Sequence, residues 1–198
     1  MARIIGLTGG IGSGKSTASC FLAEAGVPIV DADAVSRALT AAGGEGSAAV
    51  AAAFGPEFLT PDGAMDRARM RALAFSDKGA LRKLEAVLHP LIGRRIRTEL
   101  SSHAAAPVAV FDCPLLYRAD FRLPEIERIL VIDASDETRL RRILARPGIS
   151  PETARRMMDA QPARAEWLSL ADDVIVNEGS ADELREKILA LLAHWKAQ

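Results

Sequence analysis

The sequence predicts an α/β fold, a doubly wound parallel sheet of about five strands with helices on both faces. Three observations support this prediction. Short apolar runs alternate along the chain with stretches of helical periodicity. Each apolar run is nearly continuous rather than alternating, as in the buried strands of a parallel sheet. A glycine-rich segment separates the first apolar run from the first helical stretch, which is where such folds commonly bind ligands.

The predicted strands share near-continuous apolar side chains and lie at 4–8, 27–30, 108–112, 129–133 and 174–176. The last helix is the clearest, because Ser180-x-x-Glu183 forms a capping box before one apolar stripe. Since the carboxyl ends of parallel strands meet at one edge of a sheet, the polar residues that end these strands are the first candidates for a site.

The segment between the first strand and the first helix contains a complete phosphate-binding loop, Gly9-x-x-x-x-Gly14-Lys15-Ser16. Its glycines let successive N–H groups point at one phosphate, and the helix N-terminus adds partial positive charge. We expect Lys15 to reach the β- and γ-phosphates and the Ser16 hydroxyl to bind Mg²⁺. The fold is therefore predicted to be that of a P-loop NTPase. The predicted nucleotide-binding residues of the loop are Gly9, Gly12, Ser13, Gly14, Lys15, Ser16 and Thr17.

Composition limits the classes of protein that fit. The 198 residues suit one sizeable domain, and a net charge of −1 gives no global basic field for nucleic acid or membranes. The two cysteines, Cys20 and Cys113, do not form a disulfide framework. A strand predicted at residue 4 leaves no room for a signal peptide, and no apolar run approaches a membrane span. We expect a cytoplasmic protein without nucleic-acid or membrane partners, either a monomer or a weak homo-oligomer.

Two regions exceed what a minimal sheet needs. Residues 55–104 hold a turn and then two helical stretches at about 65–76 and 79–101, so we predict a helical insertion there. Residues 136–166 form a second excursion, which Pro147-Gly148 and Ser150-Pro151 punctuate. The predicted organisation is one domain over 1–198, with a nucleotide-binding core at 1–54 and 105–198.

Two carboxylates, Asp31 and Asp33, follow the second strand, and Arg37 lies one helical turn further on. Such a pair fits a division of roles in which one acid caps or assists and the other orients and deprotonates an attacking hydroxyl. The pattern leaves open which acid does which. Arg37 is placed either to pair with Asp33 or to hold a substrate phosphate.

The third and fourth strands end in Asp112 and Asp133, either of which is suited to act on Mg²⁺ directly or through water. Asp133-Ala134-Ser135 resembles the start of a helix, so we favour Asp112 as the metal-binding residue. His89-Pro90 is predicted to interrupt the long helix of the insertion. His89 fits both a structural role near that kink and a role facing substrate.

Four arginines follow the fourth strand with no acid among them: Arg139, Arg141, Arg142 and Arg146. They fit a solvated helix face, or a set that stabilises charge on a transferred phosphoryl group. In the second case residues 136–166 are a lid that closes over the nucleotide and excludes water. Arg142 and Arg146 are four residues apart, which on one helix gives them a common face.

Taken together, the motifs resemble those of the dephospho-coenzyme A kinase family. The family's L-T-G-G-I-G-S-G-K-S-T stands at 7–17, its D-A-D-x-x-x-R at 31–37, its H-P-L-I at 89–92 and its P-L-L at 114–116. Its closing pattern stands as Gln161, Arg164 and the run at 171–179. The resemblance extends from one end of the chain to the other without a large insertion.

The resemblance implies ATP-dependent phosphorylation of the ribose 3′-hydroxyl of dephospho-coenzyme A, the last step of coenzyme A synthesis, with Mg²⁺. It implies a P-loop core, a helical substrate-binding domain and a lid. By position in the motifs, Asp33 matches the base, Arg142 and Arg146 the lid arginines, and Asn177 and Gly179 the loop beside adenine. The residues expected to contact the acceptor substrate are Asp31, Asp33, Arg37, His89 and Leu115.

One departure from the family concerns the residue after P-L-L-Y. The family commonly has Glu there, whereas this chain has Arg118, so the charge is inverted.

The alternative functions for the chain are a nucleoside monophosphate kinase, a GTPase, an ATP-driven motor and a non-catalytic nucleotide-binding module. A GTPase needs an N-K-x-D motif that this sequence lacks, and a motor usually has Glu where Cys113 follows Asp112. Intact Lys15 and Ser16 argue against the non-catalytic module.

Overall fold

The computed structural model describes residues 2–197 and contains a five-stranded sheet of the predicted kind. The strands are β1 (Arg3–Thr8), β2 (Ile29–Asp31), β3 (Val108–Asp112), β4 (Ile126–Asp133) and β5 (Asp173–Val176). Their order in the sheet is β2-β3-β1-β4-β5, and β1 pairs in parallel with both β3 and β4. The α/β doubly wound prediction is confirmed, and all five predicted strands are present.

The helices are α1 (Lys15–Glu24), α2 (Ala32–Leu39), α3 (Glu45–Phe54), α4 (Arg67–Ser76), α5 (Lys78–Ser102), α6 (Asp136–Leu144), α7 (Pro151–Asp159), α8 (Arg164–Leu170) and α9 (Ala181–Ala197). Single 3₁₀ turns occur at Pro56–Phe58 and Ala119–Phe121. The Ser180 hydroxyl accepts the N–H of Glu183 at 3.2 Å, so the last helix begins at its predicted cap.

The chain divides into two compact units. The second unit is Asp31–Ser101, and the first comprises the rest of the described residues. In the first unit, buried side chains of β1, β3 and β4 pack with those of α1 and α9 in one hydrophobic core. The second unit has a separate core around Val50, Met70 and Leu88. Because α2 and α3 belong to the second unit, it begins earlier than the insertion predicted at 55–104.

The expected interruption at Pro90 is wrong, because α5 runs through it without a break. Proline removes one backbone donor, which leaves the carbonyl of Ala86 without its helical partner. Ala86 and Pro90 are both exposed, so water can satisfy that carbonyl. Leu88, on the other side of the helix, is buried with Val50 and Met70, and this packing holds the helix together across the proline.

The register of β1 determines which strand ends lie beside the glycine-rich loop. Leu7 pairs with Asp112 of β3, and Thr8 pairs with Val131 of β4. The loop therefore leaves the sheet next to the carboxyl ends of both strands. None of the helices within residues 2–197 combines the length and apolar character needed to cross a lipid bilayer.

A polar cluster ties the last helix to the sheet. Arg128 of β4 donates to both carboxylate oxygens of Asp173 at 2.8 and 3.1 Å, and Trp195 Nε1 donates to the same carboxylate at 3.1 Å. Burial opposes the charged form of Asp173, but these hydrogen bonds and the charges of Arg128 and His194 outweigh it. They hold the pKa of the Asp173 carboxyl below its usual value.

We predict that Asp173→Asn lowers the free energy of unfolding at pH 7 by about 1–2 kcal/mol, because a charged hydrogen-bond acceptor is lost. The folded-state pKa is depressed, so the stabilisation is present above the unfolded pKa of about 3.9 and is lost as the pH falls through the folded value. Denaturant unfolding of wild type and variant at pH 7 and pH 3 measures this. Glu127→Gln, at an exposed pair with Arg3, is the control. An equal difference between wild type and Asp173→Asn at both pH values would contradict the prediction.

Candidate nucleotide and catalytic site

The glycine-rich loop connects β1 to α1 and leaves several amide groups available to a ligand. Gly12 and Gly14 have φ of +80° and +99°, a region that glycine enters without strain. Within residues 2–197, neither the Gly12 nor the Gly14 N–H donates a hydrogen bond. The hydroxyls of Thr8 and Ser13 are buried there, also without partners among the described residues. Unsatisfied buried polar groups concentrated in one loop are what a polar ligand would complete.

A close neighbour excludes any side chain at position 14. A Cβ at Gly14 would collide with the side-chain amide of Asn177, which donates to the Ser13 carbonyl at 2.7 Å. Asn177 is itself buried and follows β5. The two predicted nucleotide-binding segments, the P-loop and the 177–179 loop, are thus joined by a direct hydrogen bond.

Lys15 and Asp112, predicted to act on phosphate and on Mg²⁺, are in direct contact. Lys15 Nζ donates to Asp112 Oδ1, and both side chains are largely withdrawn from solvent. The carboxylate compensates the lysine charge in the absence of an anion. A bound phosphate and its counter-cation offer each group a new partner of opposite sign, so the pair can exchange its contacts without leaving a buried charge unpaired.

Asp133, the alternative metal-binding residue, is occupied by another partner. The Arg164 guanidinium forms a two-pronged pair with its carboxylate, with contacts of 2.6, 2.9 and 3.1 Å. This hydrogen bonding, with the charge of Asp133, raises the pKa of Arg164 above its usual value. The arrangement holds the start of α8 against the end of β4. It supports the preference for Asp112 as the site of a metal.

Arg142 lies between the P-loop and the 177–179 loop. Its guanidinium donates to the carbonyls of Ser13 at 3.3 Å, Asn177 at 3.0 Å and Gly179 at 3.4 Å. A cavity of about 270 Å³ opens beside it, lined also by Gly14, Thr17 and Ser180. Its walls therefore combine P-loop residues with the loop that the resemblance assigns to adenine.

Arg146 is not on the helix that carries Arg142. The helix α6 ends at Leu144 with Ala145 as its C-cap, and Arg146 follows in an exposed turn. The expected common helical face of these two arginines is therefore wrong. The Pro147-Gly148 dipeptide, with Gly148 at φ +75°, explains why the helix stops before it.

In the second unit, the carboxylate pair after β2 divides its roles. Asp31 is the N-cap of α2, and its Oδ1 accepts the N–H groups of Asp33 at 2.7 Å and Ala34 at 3.0 Å. Arg37 lies 3.7 Å from Asp31 rather than beside Asp33, so the alternative that it pairs with Asp33 is not observed. Within the described residues the exposed Asp33 carboxylate makes no hydrogen bond or ion pair. Asp31 is therefore the capping acid of the pair, and Asp33 is the acid with an exposed carboxylate.

The other two candidates for substrate contact are less distinctive. His89 lies half-buried on α5 of the second unit, next to buried Leu88. Leu115 is half-buried in the turn after β3 of the first unit.

Arg118, where the family commonly has Glu, pairs with Asp120 at 2.7 Å and lies over the Phe121 ring at 5.0 Å. Its charge is compensated locally.

Sequence reasoning missed three residues that hold the site together: Arg139, Gln161 and Arg164. Arg139 Nε donates to the Ile11 carbonyl at 3.0 Å, and Gln161 Oε1 accepts the Ile11 N–H at 2.7 Å. Gln161 and Arg164 were part of the matched closing pattern, but nothing in their spacing indicated which groups they bind.

A family model described as "Dephospho-CoA kinase" matches residues 3–183, which is most of the chain and includes every element of this site. The chain belongs to the dephospho-CoA kinase family. The family suggested by the sequence motifs is confirmed.

Individual relatives agree with the family assignment. A dephospho-CoA kinase of Bordetella parapertussis is 46% identical over 196 residues, 98% of this chain and 91% of that protein. A crystal structure of a Thermus thermophilus protein has 36% sequence identity and a TM-score of 0.81, covering 98% of this chain and 97% of that one. The dephospho-CoA kinase structure from Campylobacter jejuni, at 24% identity, has a TM-score of 0.74 and covers 100% of this chain and 98% of that one. The last of these shows the shared fold.

We predict that Arg142→Met raises the KM for ATP about tenfold, because the guanidinium joins the P-loop to the 177–179 loop and lines the cavity between them. The KM for dephospho-coenzyme A should change less than about twofold, on the same scale. Steady-state kinetics with each substrate varied in turn measure both values. Arg141→Met, on the same helix but exposed to solvent, is the matched control. An unchanged KM for ATP would show that Arg142 has only a structural role.

Proposed function

We propose that this chain phosphorylates the ribose 3′-hydroxyl of dephospho-coenzyme A at the expense of ATP, using the residues described above. The observation that carries the proposal is the P-loop itself. Within residues 2–197 it combines Gly12 and Gly14 amides that donate no hydrogen bond with a lysine paired to the Asp112 carboxylate, which a metal could engage. The family assignment supports the choice of acceptor.

Nucleotide binding uses two neighbouring parts of the first unit. The amides of the P-loop and the positive N-terminus of α1 are suited to the phosphates, and Lys15 to the charge that develops on them. The cavity between Thr17, Arg142 and Gly179 is suited to the nucleoside end. Arg142 already makes hydrogen bonds on both sides of that cavity, which favours a role in nucleotide binding besides the predicted role in catalysis.

The donors present suit Mg²⁺, which prefers oxygen ligands and retains several waters when a nucleotide shares it. Ser16 lies in the first turn of α1, and Asp112 is the last residue of β3. When bound, the ion would neutralise charge on the phosphates. We propose Ser16 and Asp112, directly or through water, as the residues that hold it.

Transfer requires a group that removes the acceptor proton. We propose Asp33, since Asp31 is engaged as a helix cap and by Arg37, whereas the Asp33 carboxylate is exposed and unpaired within the described residues. Asp33 takes the proton of the 3′-hydroxyl, and the oxygen forms a bond to the γ-phosphorus of ATP. The bond from that phosphorus to the bridging oxygen breaks, and ADP leaves. Arg37, His89 and Leu115 remain proposed substrate contacts.

We further propose that residues in 136–166 act as a lid, with Arg146 at its mobile part. Arg146 lies in a turn outside α6, where it is exposed and its side chain makes no hydrogen bond or ion pair with the other described residues. An arginine in this condition can approach the transferred phosphate without first breaking an ion pair. Closure would also exclude water and so limit hydrolysis of ATP.

The proposed activity is tested by incubating the protein with Mg²⁺, ATP and dephospho-coenzyme A and locating the new phosphate by NMR. Appearance of a 3′-phosphate supports the proposal. A parallel reaction with a nucleoside monophosphate as acceptor tests the nearest alternative, a nucleoside monophosphate kinase. Faster transfer to the monophosphate would replace the proposed function with that one.

For Lys15→Ala we predict a fall in kcat of about 10²-fold or more, because one preorganised charge at the developing phosphoryl anion is lost. Circular dichroism should show an intact fold. The control is Lys187→Ala, an exposed lysine of α9 that donates only to the Val176 carbonyl, and its kcat should match wild type. A folded Lys15→Ala protein with near-normal turnover is incompatible with the assigned role.

For Asp33→Asn we predict that ATP binding persists while kcat falls by about 10²–10⁴-fold, the usual loss when a general base is removed. Asp31→Asn is the matched control, because asparagine caps a helix nearly as well as aspartate does. Calorimetric ATP affinity and turnover should be measured for both. If Asp31→Asn is inactive and Asp33→Asn is active, the base has been assigned to the wrong carboxylate.

A further inference from the structure

The two peptide groups that meet at Ile11 of the P-loop are each held by a side chain of the segment after β4. The Ile11 N–H donates to Gln161 Oε1 at 2.7 Å, and the Ile11 carbonyl accepts from Arg139 Nε at 3.0 Å. Arg139 also donates to the same Gln161 oxygen at 3.2 Å, which closes a ring of three hydrogen bonds. We call Arg139 and Gln161 the Ile11 brace.

The Arg139 half of the brace is buried and closely packed against the loop. Arg139 is only 4% exposed, and its remaining charge is met by Asp136 at 3.0 Å. A Cβ on Gly10 would lie 2.6 Å from the Arg139 guanidinium, and one on Gly12 would lie 2.7 Å from the Arg139 carbonyl. Burial of a guanidinium is costly unless it is well paired, so its position against two glycines indicates a specific requirement of the loop.

The Ile11 carbonyl shares a planar peptide group with the Gly12 N–H, so the hydrogen bond from Arg139 fixes the direction of that amide. Because Gln161 takes the Ile11 N–H, that group is withdrawn from any ligand. The Gly12 and Gly14 N–H groups have no partner within residues 2–197. The backbone N–H groups of a loop can point together at an anion only while their peptide planes are fixed. Glycine residues by themselves leave those planes free to rotate.

We propose that Arg139 and Gln161 are positioning residues, which hold the two peptide groups at Ile11 so that the following amides face the phosphates of the nucleotide. They act through the loop and do not touch the reacting atoms. The proposal rests on the proposed function only in taking the ligand to be a nucleoside triphosphate.

The brace also limits which part of the predicted lid can move. Arg139 belongs to α6, and Gln161 lies between α7 and α8, three residues before Arg164, which is paired with Asp133. Both ends of the α7 segment are therefore fastened to the P-loop or to the sheet. Closure is therefore confined to the stretch between these two attachments, about 145–160.

The test compares two substitutions of Gln161. Gln161→Met keeps the length and removes the acceptor oxygen, whereas Gln161→Glu keeps an oxygen that can accept the Ile11 N–H and pair with Arg139. Arg139→Met tests the other side, and Arg141→Met is the matched control on α6. Three quantities are measured: the exchange rate of the Ile11 amide by NMR, ADP affinity, and the KM for each substrate.

We expect Gln161→Met to speed exchange of the Ile11 amide at least about tenfold, and to weaken ADP binding and raise the KM for ATP by a similar factor. The KM for dephospho-coenzyme A should not change. Gln161→Glu should restore slow exchange and most of the ADP affinity. Arg141→Met should resemble wild type throughout.

Wild-type exchange and ADP affinity in Gln161→Met would overturn the proposal, as would a Gln161→Glu protein as impaired as Gln161→Met. If Arg139→Met fails to fold, the two Gln161 variants still test the proposal, because Gln161 is only half-buried. Failure of the wild type to phosphorylate dephospho-coenzyme A would count against the proposed function alone, because amide exchange and ADP binding do not depend on the acceptor.

Discussion

The site depends on one constraint: the backbone of the P-loop must be held rigid while several of its N–H groups stay available for phosphate. Backbone hydrogen bonds satisfy only part of its other polar groups, so side chains from elsewhere satisfy the rest. Arg139, Arg142 and Asn177 donate to the carbonyls of Ile11 and Ser13, and Gln161 accepts the Ile11 amide. The segments after β4 and β5 thus complete a loop that lies more than a hundred residues earlier in the chain.

Buried charge imposes a second requirement on the same edge of the sheet. Two carboxylates end the strands on either side of β1, and each has a cationic partner: Lys15 for Asp112 and Arg164 for Asp133. The two pairs differ in what a nucleotide could change. The Asp133 pair is two-pronged and joins α8 to the sheet, whereas the Asp112 pair contains the residue expected to bind phosphate. The Arg164–Asp133 pair is suited to a structural role, whereas the Lys15–Asp112 pair is suited to exchange its partners when a nucleotide binds.

Much of the fold could be predicted from the sequence because its signals are local. Strands buried on both faces need continuous apolar runs, and all five such runs became strands. The capping box at Ser180 and the Ser150-Pro151 start of α7 also appeared as predicted, since a cap is made by residues within one turn. Where tertiary packing competed with a local signal, the prediction was wrong. Pro90 does not stop α5, because burial of Leu88 on the other face of the helix sustains it.

The sequence by itself determined the chemistry: a complete P-loop, the acids after three strands, and a set of motifs specific enough to indicate the family. These depend on residue type and on spacing over a few positions, which the sequence states directly. Only the tertiary structure decided which groups meet. It placed Arg142 beside Asn177 and brought Arg139 and Gln161 to Ile11. The physical reason is that such partners lie up to 164 residues apart, as Ser13 and Asn177 do, so that packing rather than periodicity brings them together.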